Sequence, residues 1–587
     1  MKKTDLNNFI NFFKYIKPYW KKEFLVWLLS FIVSLLSLVN PIIAKLVIDK
    51  AYLGRDLGIF IKLIIIGALI FVISNFADTF SYYLSEYVTS KVKFDLQRKI
   101  FKKLDTLSYS FFQKKTSGEY IYRLNSEASQ VASLVTTFIP RLLDVIPKLL
   151  LTLVILFVLN WKICILIFVL TLFLYLPNLL LIKKIMNKSR LLLESAQNIL
   201  ETAREVFSNM QVVKIFSKER YENRRFISRL ANDMRIGLAD TRLQLISSSL
   251  GSWINRIILG IITIYGGYNI IKGQMTLGSF TAIMMYIGQL LGLQGNLSSF
   301  FVNFSVGNIS VNRVSEILES WPQEVDDKGA SNYLFSTGEI EFKDVSFGYY
   351  PDKNVIQDLN FKVGDGLTVG LVGTSGSGKT TIVNLIVKLY QISNGNISID
   401  GKDIKFIKND SLRSQIGMAM QKPILWNDTI RNNIIYGNIK ATGEELTRVC
   451  KIACADEFIE NMPQKFDTVV DEAAIRLSEG QKQRISLARA LIKNPKILII
   501  DEGMSSLDSK TEDRIIDNLR RDCRDKTIIV ISHRLSTVKK LDLIYFLEGS
   551  NKISAGSHAQ LAKENLGYRA LFASQFVEEG LSLKFDV

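Results

Sequence analysis

Residues 373 to 380 read Gly373-Thr374-Ser375-Gly376-Ser377-Gly378-Lys379-Thr380 and match G-x-x-x-x-G-K-[ST] in full. Chemistry of this kind needs successive backbone N–H groups and a helix N-terminus, because together they cradle phosphate oxygens. The apolar run 367–372 reads as a buried strand ahead of the loop, and Thr380, Thr381 and the residues after them read as a helix start. Lys379 is expected on the β and γ phosphates of a nucleoside triphosphate, and the Thr380 hydroxyl on Mg²⁺. A second apolar run, 496–500, ends in Asp501 and Glu502. Asp501 is placed to hold the Mg²⁺ hydration shell, and Glu502 to polarise an attacking water.

Further positions add to this set. Leu477-Ser478-Glu479-Gly480-Gln481 opens a helix whose N–H groups and dipole suit the γ-phosphate of a second nucleotide. Gln421 stands between a strand and Pro423, where its amide can reach Mg²⁺ or water. His533 follows the strand 527–531 and can bond a γ-phosphate, and Tyr349 offers a ring to stack on adenine. Taken singly, Gln421, His533 and Tyr349 are ordinary residues. Their order along one chain gives them weight.

These residues need scaffolds, and 587 residues are too many for one core. Hydrophobic residues make up 48% of the chain, which fits a half-membrane protein. Apolar segments centred on 24–44, 59–86, 138–159, 163–182, 245–271 and 276–300 predict six membrane spans. Lys and Arg crowd the segments 87–137 and 183–243, whereas the opposite side has few, among them Lys50, Arg55, Lys162 and Lys272. That bias predicts cytoplasmic termini and cytoplasmic helical rods, and it accounts for the net charge of +17 without nucleic acid. No cleavable signal peptide is expected in 1–22. The four cysteines have no metal-ligand or redox spacing and read as buried thiols.

The sixth span has no charge from 273 to 312, and Gln289, Asn296 and Asn303 recur every seven residues on one helical face. Two readings stay open: amide contacts between helices, or a polar stripe along a translocation path. Arg256 in the fifth span has no local partner in sequence and is a candidate cavity residue. Arg141, Asp144 and Lys148 in the third span can pair with one another at helical spacing. Met284, Met285 and Tyr286 fit an adaptable apolar cavity. Residues 1–320 therefore read as a membrane domain and 321–338 as a linker. Residues 339–587 read as an α/β nucleotide-binding domain with a mainly parallel sheet.

Over essentially its whole length the chain resembles the ATP-binding cassette (ABC) exporters, in the half-transporter form. The resemblance rests on the phosphate loop, the 477–481 signature followed by Lys482-Gln483-Arg484, and Asp501-Glu502 about twenty residues on. Tyr15 to Tyr19, Thr116 to Glu119 and Gly556 to His558 also carry it. It implies a multi-pass protein of a bacterial-type inner membrane with a cytoplasmic nucleotide domain, hydrolysing ATP to export an amphipathic drug-like compound, peptide or lipid. It also implies a dimer, with each ATP held between Gly373–Thr380, Asp501 and Glu502 of one subunit and Ser478 and Gly480 of the other. Ser505 to Asp508 resemble the loop that couples the two sites, and turns near 111–119 and 207–214 resemble the elements that dock on nucleotide domains. Glu479 replaces the usual glycine of the signature, and Asp471-Glu472-Ala473-Ala474 departs from the usual preceding loop. A homodimer is expected, with one half of a heterodimer having unequal ATP sites, or a lipid flippase, as the alternatives. A soluble cassette ATPase acting on ribosomes or DNA conflicts with six spans, and an ATP-gated channel or non-transporting regulator would have a damaged hydrolytic centre.

Overall fold

The computed structural model describes residues 12–114, 117–320, 324–350, 353–470, 477–549 and 552–578. Two compact units result: residues 1–107 with 115–322, and residues 108–114 with 323–587.

The first unit is helical. Its long helices are α1 (Trp20–Leu46), α2 (Leu57–Asp105), α3 (Ala128–Leu159), α4 (Trp161–Ser208), α5 (Glu219–Ile271) and α6 (Leu277–Ser315). At 1.5 Å per residue, the 49 residues of α2 extend roughly 70 Å, about twice a hydrocarbon core. By length and composition, the helices at Lys17–Tyr52, Leu57–Asp105 and Glu219–Ile271 can each cross a membrane; shorter apolar stretches lie at Val145–Leu159, Trp161–Thr171 and Leu277–Gly292. The starts of α2 and α4 carry side-chain caps. Asp56 accepts from Gly58 N at 2.8 Å and Ile59 N at 3.0 Å, and Asn160 accepts from Ile163 N at 3.1 Å, closing the short turn between α3 and α4.

Two apolar cores hold the bundle. In one, Val88, Val92, Leu96 and Ile100, each four residues apart on α2, meet Val131, Val135, Val311 and Val314. In the other, Ile163, Ile258, Ile262, Ile283 and Ile287 pack together. Near the first core, Arg123 bonds Glu119 at 2.6 Å, Glu316 at 2.9 Å and the Arg313 carbonyl at 3.1 Å.

The second unit is α/β. A six-stranded sheet has the order β10-β9-β3-β8-β7-β6, built from β3 (Thr368–Gly373), β6 (Ile416–Ala419), β7 (Ile497–Asp501), β8 (Thr527–Ile531), β9 (Leu543–Leu547) and β10 (Ile553–Gly556). Its pairs are parallel except β9 with β10. Every residue of β3, β7 and β8 is buried, which explains their continuous apolar runs. A four-stranded antiparallel sheet, ordered β2-β1-β4-β5, comprises β1 (Ile340–Phe347), β2 (Ile356–Val363), β4 (Asn394–Ile399) and β5 (Lys402–Asp403).

The stretch read as a linker is, from residue 324 onward, part of this unit. Asp326 accepts from Asn409 N at 2.8 Å, and Phe335 N donates to Gln415 Oε1 at 2.7 Å. Asp400 accepts from the backbone amides of Ser336, Thr337, Gly338 and Glu339. Burial pushes the Asp400 carboxyl up, but bonds from Thr337, Glu339 and Ser336 outweigh it and hold it below its ordinary value. The segment that links the two units in sequence is thus bonded into the second one from residue 324 onward.

Candidate functional site

The sheet order brings the singled-out residues together. β3, β8, β7 and β6 are adjacent and parallel, and the phosphate loop, His533, Glu502 and Gln421 each follow the C-terminal end of one of them. Ligands of parallel α/β sheets bind beyond that edge.

The phosphate loop joins β3 to α7 (Lys379–Ile386). Gly376 and Gly378 have φ of 83° and 97°, left-handed values that glycine adopts without strain. Lys379 is buried, and its Nζ donates to the Gly373 and Thr374 carbonyls, both at 2.9 Å. Burial pushes its ammonium below the ordinary value, while Glu502 and Asp501 pull the other way. Ser377 Oγ and Asp501 Oδ1 are buried without a hydrogen-bond partner. Such atoms carry a desolvation penalty that a bound phosphate or cation would offset, so the donor set fits a magnesium nucleotide. Burial is also the main cause that raises the Asp501 carboxyl to about 6, against the pull of the Thr380 hydroxyl.

Glu502 has a φ of 47°, strained for a residue with a side chain, and its amide bonds the Ile531 carbonyl at 3.1 Å. Gln421 Nε2 donates to Glu502 Oε2 at 2.6 Å, and His533 Nε2 lies 3.1 Å from Glu502 Oε1. One carboxylate is thus aimed by two side chains from the neighbouring strands. Tyr349, just beyond β1, keeps an exposed ring and shares a hydrogen bond of 3.1 Å with the Thr381 hydroxyl.

The signature forms the start of α8 (Glu479–Leu491). Ser478 Oγ accepts from Gln481 N at 3.2 Å and Gln481 Oε1 accepts from Ser478 N at 2.8 Å, a reciprocal cap. Glu479 is half exposed and pairs with Lys482 at 3.4 Å. The unusual carboxylate is therefore directed along its own helix. A Cβ on Gly480 would come within 3.1 Å of Leu507 Cδ2 and the Ser506 carbonyl, a tight fit in which the neighbours must give by a few tenths of an ångström. Asp508 caps α9 (Ser509–Asp522) by accepting from Thr511 N at 3.0 Å.

Sequence reading passed over the residues that fasten this loop. Gln483 Nε2 donates to Ser505 Oγ at 3.2 Å, and its Oε1 accepts from Ser506 N at 3.0 Å. Arg534 donates to the Leu507 and Ser505 carbonyls, each at 2.8 Å. The only signal was adjacency, Arg534 to His533 and Gln483 to the signature.

Of the membrane-side candidates, the side chains of Arg256 and Gln289 fall among the described residues. Arg256 is exposed on α5. Gln289 Nε2 donates to the Ser37 carbonyl at 3.2 Å, while its Oε1 is buried without a partner. Tyr286 is fully buried and its hydroxyl donates to the Leu38 carbonyl at 2.5 Å, so it is a core residue and not an open cavity wall. The side chains of Asn296, Asn303, Arg141 and Asp144, and the loop 471–474, lie outside the described residues.

Comparison with known proteins agrees with both units. Residues 24–294 match the ABC transporter transmembrane region and residues 356–505 match the ABC transporter family model. An ATP-dependent lipid A-core flippase of Desulfotalea psychrophila is 33% identical over 95% of this chain and 98% of its own. A flippase of the same name from Syntrophus aciditrophicus is 31% identical over 93% and 90%. A Bacillus subtilis protein, YgaD, provisionally named for multidrug export, is 30% identical over 96% and 98%. A solved bacterial Atm1-family ABC exporter with ATP bound superposes with a TM-score of 0.84 at 26% identity, covering 94% of this chain and 99% of that one. Membrane helices followed by a phosphate-loop cassette, matched end to end by such relatives, make this chain a member of the ATP-binding cassette transporter family: a multi-pass half-transporter whose cassette binds and hydrolyses ATP to drive export.

Proposed function

We propose that two copies of this chain form a homodimeric exporter in a bacterial-type inner membrane, with the cassettes on the cytoplasmic side. The observation that carries the hydrolytic part is Glu502, held by Gln421 and His533 next to the phosphate loop. In this reading Lys379 and the loop amides neutralise the β and γ phosphates, and Thr380, Gln421 and Asp501 hold Mg²⁺. Bound Mg²⁺ supplies charge neutralisation across those phosphates. Glu502 accepts the proton of the attacking water, His533 holds the γ-phosphate, Tyr349 stacks on adenine, and Ser478 and Gly480 approach from the other subunit.

ATP bound between the cassettes drives the membrane helices only through its preference for the closed dimer. Exposed apolar residues around the short helix Met210–Ile215, namely Phe207, Val212, Ile215 and Phe216, support its docking on another protein surface, here a cassette. The transported molecule is an amphipathic compound, as the exporters and flippases it resembles suggest. A lipid is the alternative that the two lipid A-core flippases favour. A panel of lipids, peptides and dyes in proteoliposomes separates these classes by which one stimulates ATPase and accumulates.

Glu502→Gln tests the chemistry. Steady-state hydrolysis is expected to fall by about 10²–10⁴-fold while ATP binding is retained. Hydrolysis at the wild-type rate would remove Glu502 from its assigned role.

A further inference from the structure

Tyr390 takes no part in the site described so far. It follows α7, whose end is closed by Lys388 at a left-handed φ of 54°. The amides of Lys388 and Leu389 bond the Leu385 and Asn384 carbonyls, both at 3.0 Å, which fixes the direction in which the chain leaves the helix. The Tyr390 ring is then surrounded by aromatic edges. Its centroid is 5.2 Å from Tyr349 at an interplanar angle of 87°, 5.5 Å from Phe347 at 50°, and 5.9 Å from Tyr109 at 78°.

Tyr349 and Tyr109 form the two ends of this row, 41% and 43% exposed, with the partly buried Tyr390 between them. Tyr349 is tied by its hydroxyl to Thr381 on α7, so its ring is referenced to the phosphate loop. Tyr109 opens the short helix Tyr109–Lys114, which belongs to the same unit as the cassette although α2 precedes it and α3 follows it in sequence. Edge-to-face contacts depend on centroid separation and tilt, and each shifts an equilibrium by roughly two- to tenfold. Rings in contact do not compress, so a change in how Tyr349 is held must be taken up by its neighbour.

We propose that Tyr390 is a positioning residue that transmits the holding of Tyr349 to the Tyr109–Lys114 helix, so that a base stacked on Tyr349 steadies that helix. This rests on the nucleotide reading of Tyr349, and the test separates the two. Hydrogen exchange is followed by mass spectrometry on the full chain in lipid nanodiscs, with and without Mg²⁺ and a non-hydrolysable ATP analogue. In the wild type, the analogue slows exchange both in 373–381 and in 108–114.

In Tyr390→Leu the slowing at 373–381 persists, while that at 108–114 shrinks roughly two- to tenfold. Tyr390→Phe keeps the ring and restores both. If Tyr390→Leu does not fold, Tyr109→Leu interrupts the row from its exposed end and gives the same split. Equal slowing at 108–114 in the wild type and in the leucine variants overturns the relay, as does its loss in Tyr390→Phe. Absence of slowing at 373–381 in the wild type would instead reject the nucleotide reading itself.

Discussion

Asp501 is the residue where burial and function oppose each other most directly. Its carboxyl is almost fully buried, one oxygen has no partner, and burial raises it to about 6. The folded value lies above the ordinary carboxylate value, so between about pH 4 and pH 6 the folded chain binds more protons than the unfolded one. Stability therefore falls as pH rises through that window, by at most about 3 kcal/mol. Asp501→Asn removes the penalty. We expect its nucleotide-free thermal midpoint to exceed the wild type at pH 7.5, with the gain shrinking by about half at pH 5, while Mg²⁺-dependent hydrolysis is lost. An unchanged or lower midpoint at pH 7.5 would mean that the carboxylate is not strained in the free cassette. This residue was legible in sequence because its signal is local, two carboxylates ending an apolar run. The phosphate loop was legible for the same reason. The hold of Gln421 and His533 on Glu502 was not, since it follows from β6, β7 and β8 lying side by side, and strand order is not written in any local spacing.

At the scale of elements, the seam between α1 and α6 shows why the polar positions of the sixth span were ambiguous. Pro41 lies inside α1 and has no N–H, so the Ser37 carbonyl four residues earlier loses its helical partner. Gln289 supplies the missing donor, and Tyr286 bonds the neighbouring Leu38 carbonyl. The heptad spacing could not say that Gln289 meets a proline-freed carbonyl. Both the proline and the amide are visible in sequence; their meeting, about 250 positions apart, is a packing outcome. A double-mutant cycle tests the pairing. Gln289→Leu should destabilise the bundle by about 0.6–2 kcal/mol in denaturant titrations, and by much less when Pro41→Ala has restored the helical N–H. Equal losses in both backgrounds would show that Gln289 acts elsewhere. The hydrogen bonds of the stretch 324–338 were not legible for a related reason. Its polar residues are what a tether would have, yet Asp400, sixty positions away, collects the amides of residues 336–339.

At the scale of the whole molecule, the signature and the phosphate loop make separate demands. Ser478 and Gln481 cap each other, and Gly480 is packed against Leu507 and Ser506, so the start of α8 is preformed without nucleotide. A preformed helix N-terminus is a ready anion site, and the ion pair of Glu479 with Lys482 turns the extra carboxylate along the helix surface. In the homodimeric reading proposed above, both sites are built from the same residues. If each ATP lies between the loop of one chain and the signature of the other, defects in the two elements must complement. Lys379→Ala chains alone and Gly480→Asp chains alone are expected to be inactive, since every site in either dimer carries the defect. Mixed dimers contain one doubly damaged site and one intact site, built from an undamaged loop and an undamaged signature. Co-assembled chains in proteoliposomes should therefore regain a measurable part of the ATPase and transport that each lacks. If mixing restores nothing although mixed dimers are isolated by differential tags, then either the two sites act only together or this chain requires a different partner. Addition of wild-type chain to each variant distinguishes those cases, because a dimer of wild type with Lys379→Ala also retains a single intact site. Activity in that dimer but none in the complementing one would reject the head-to-tail sharing of ATP.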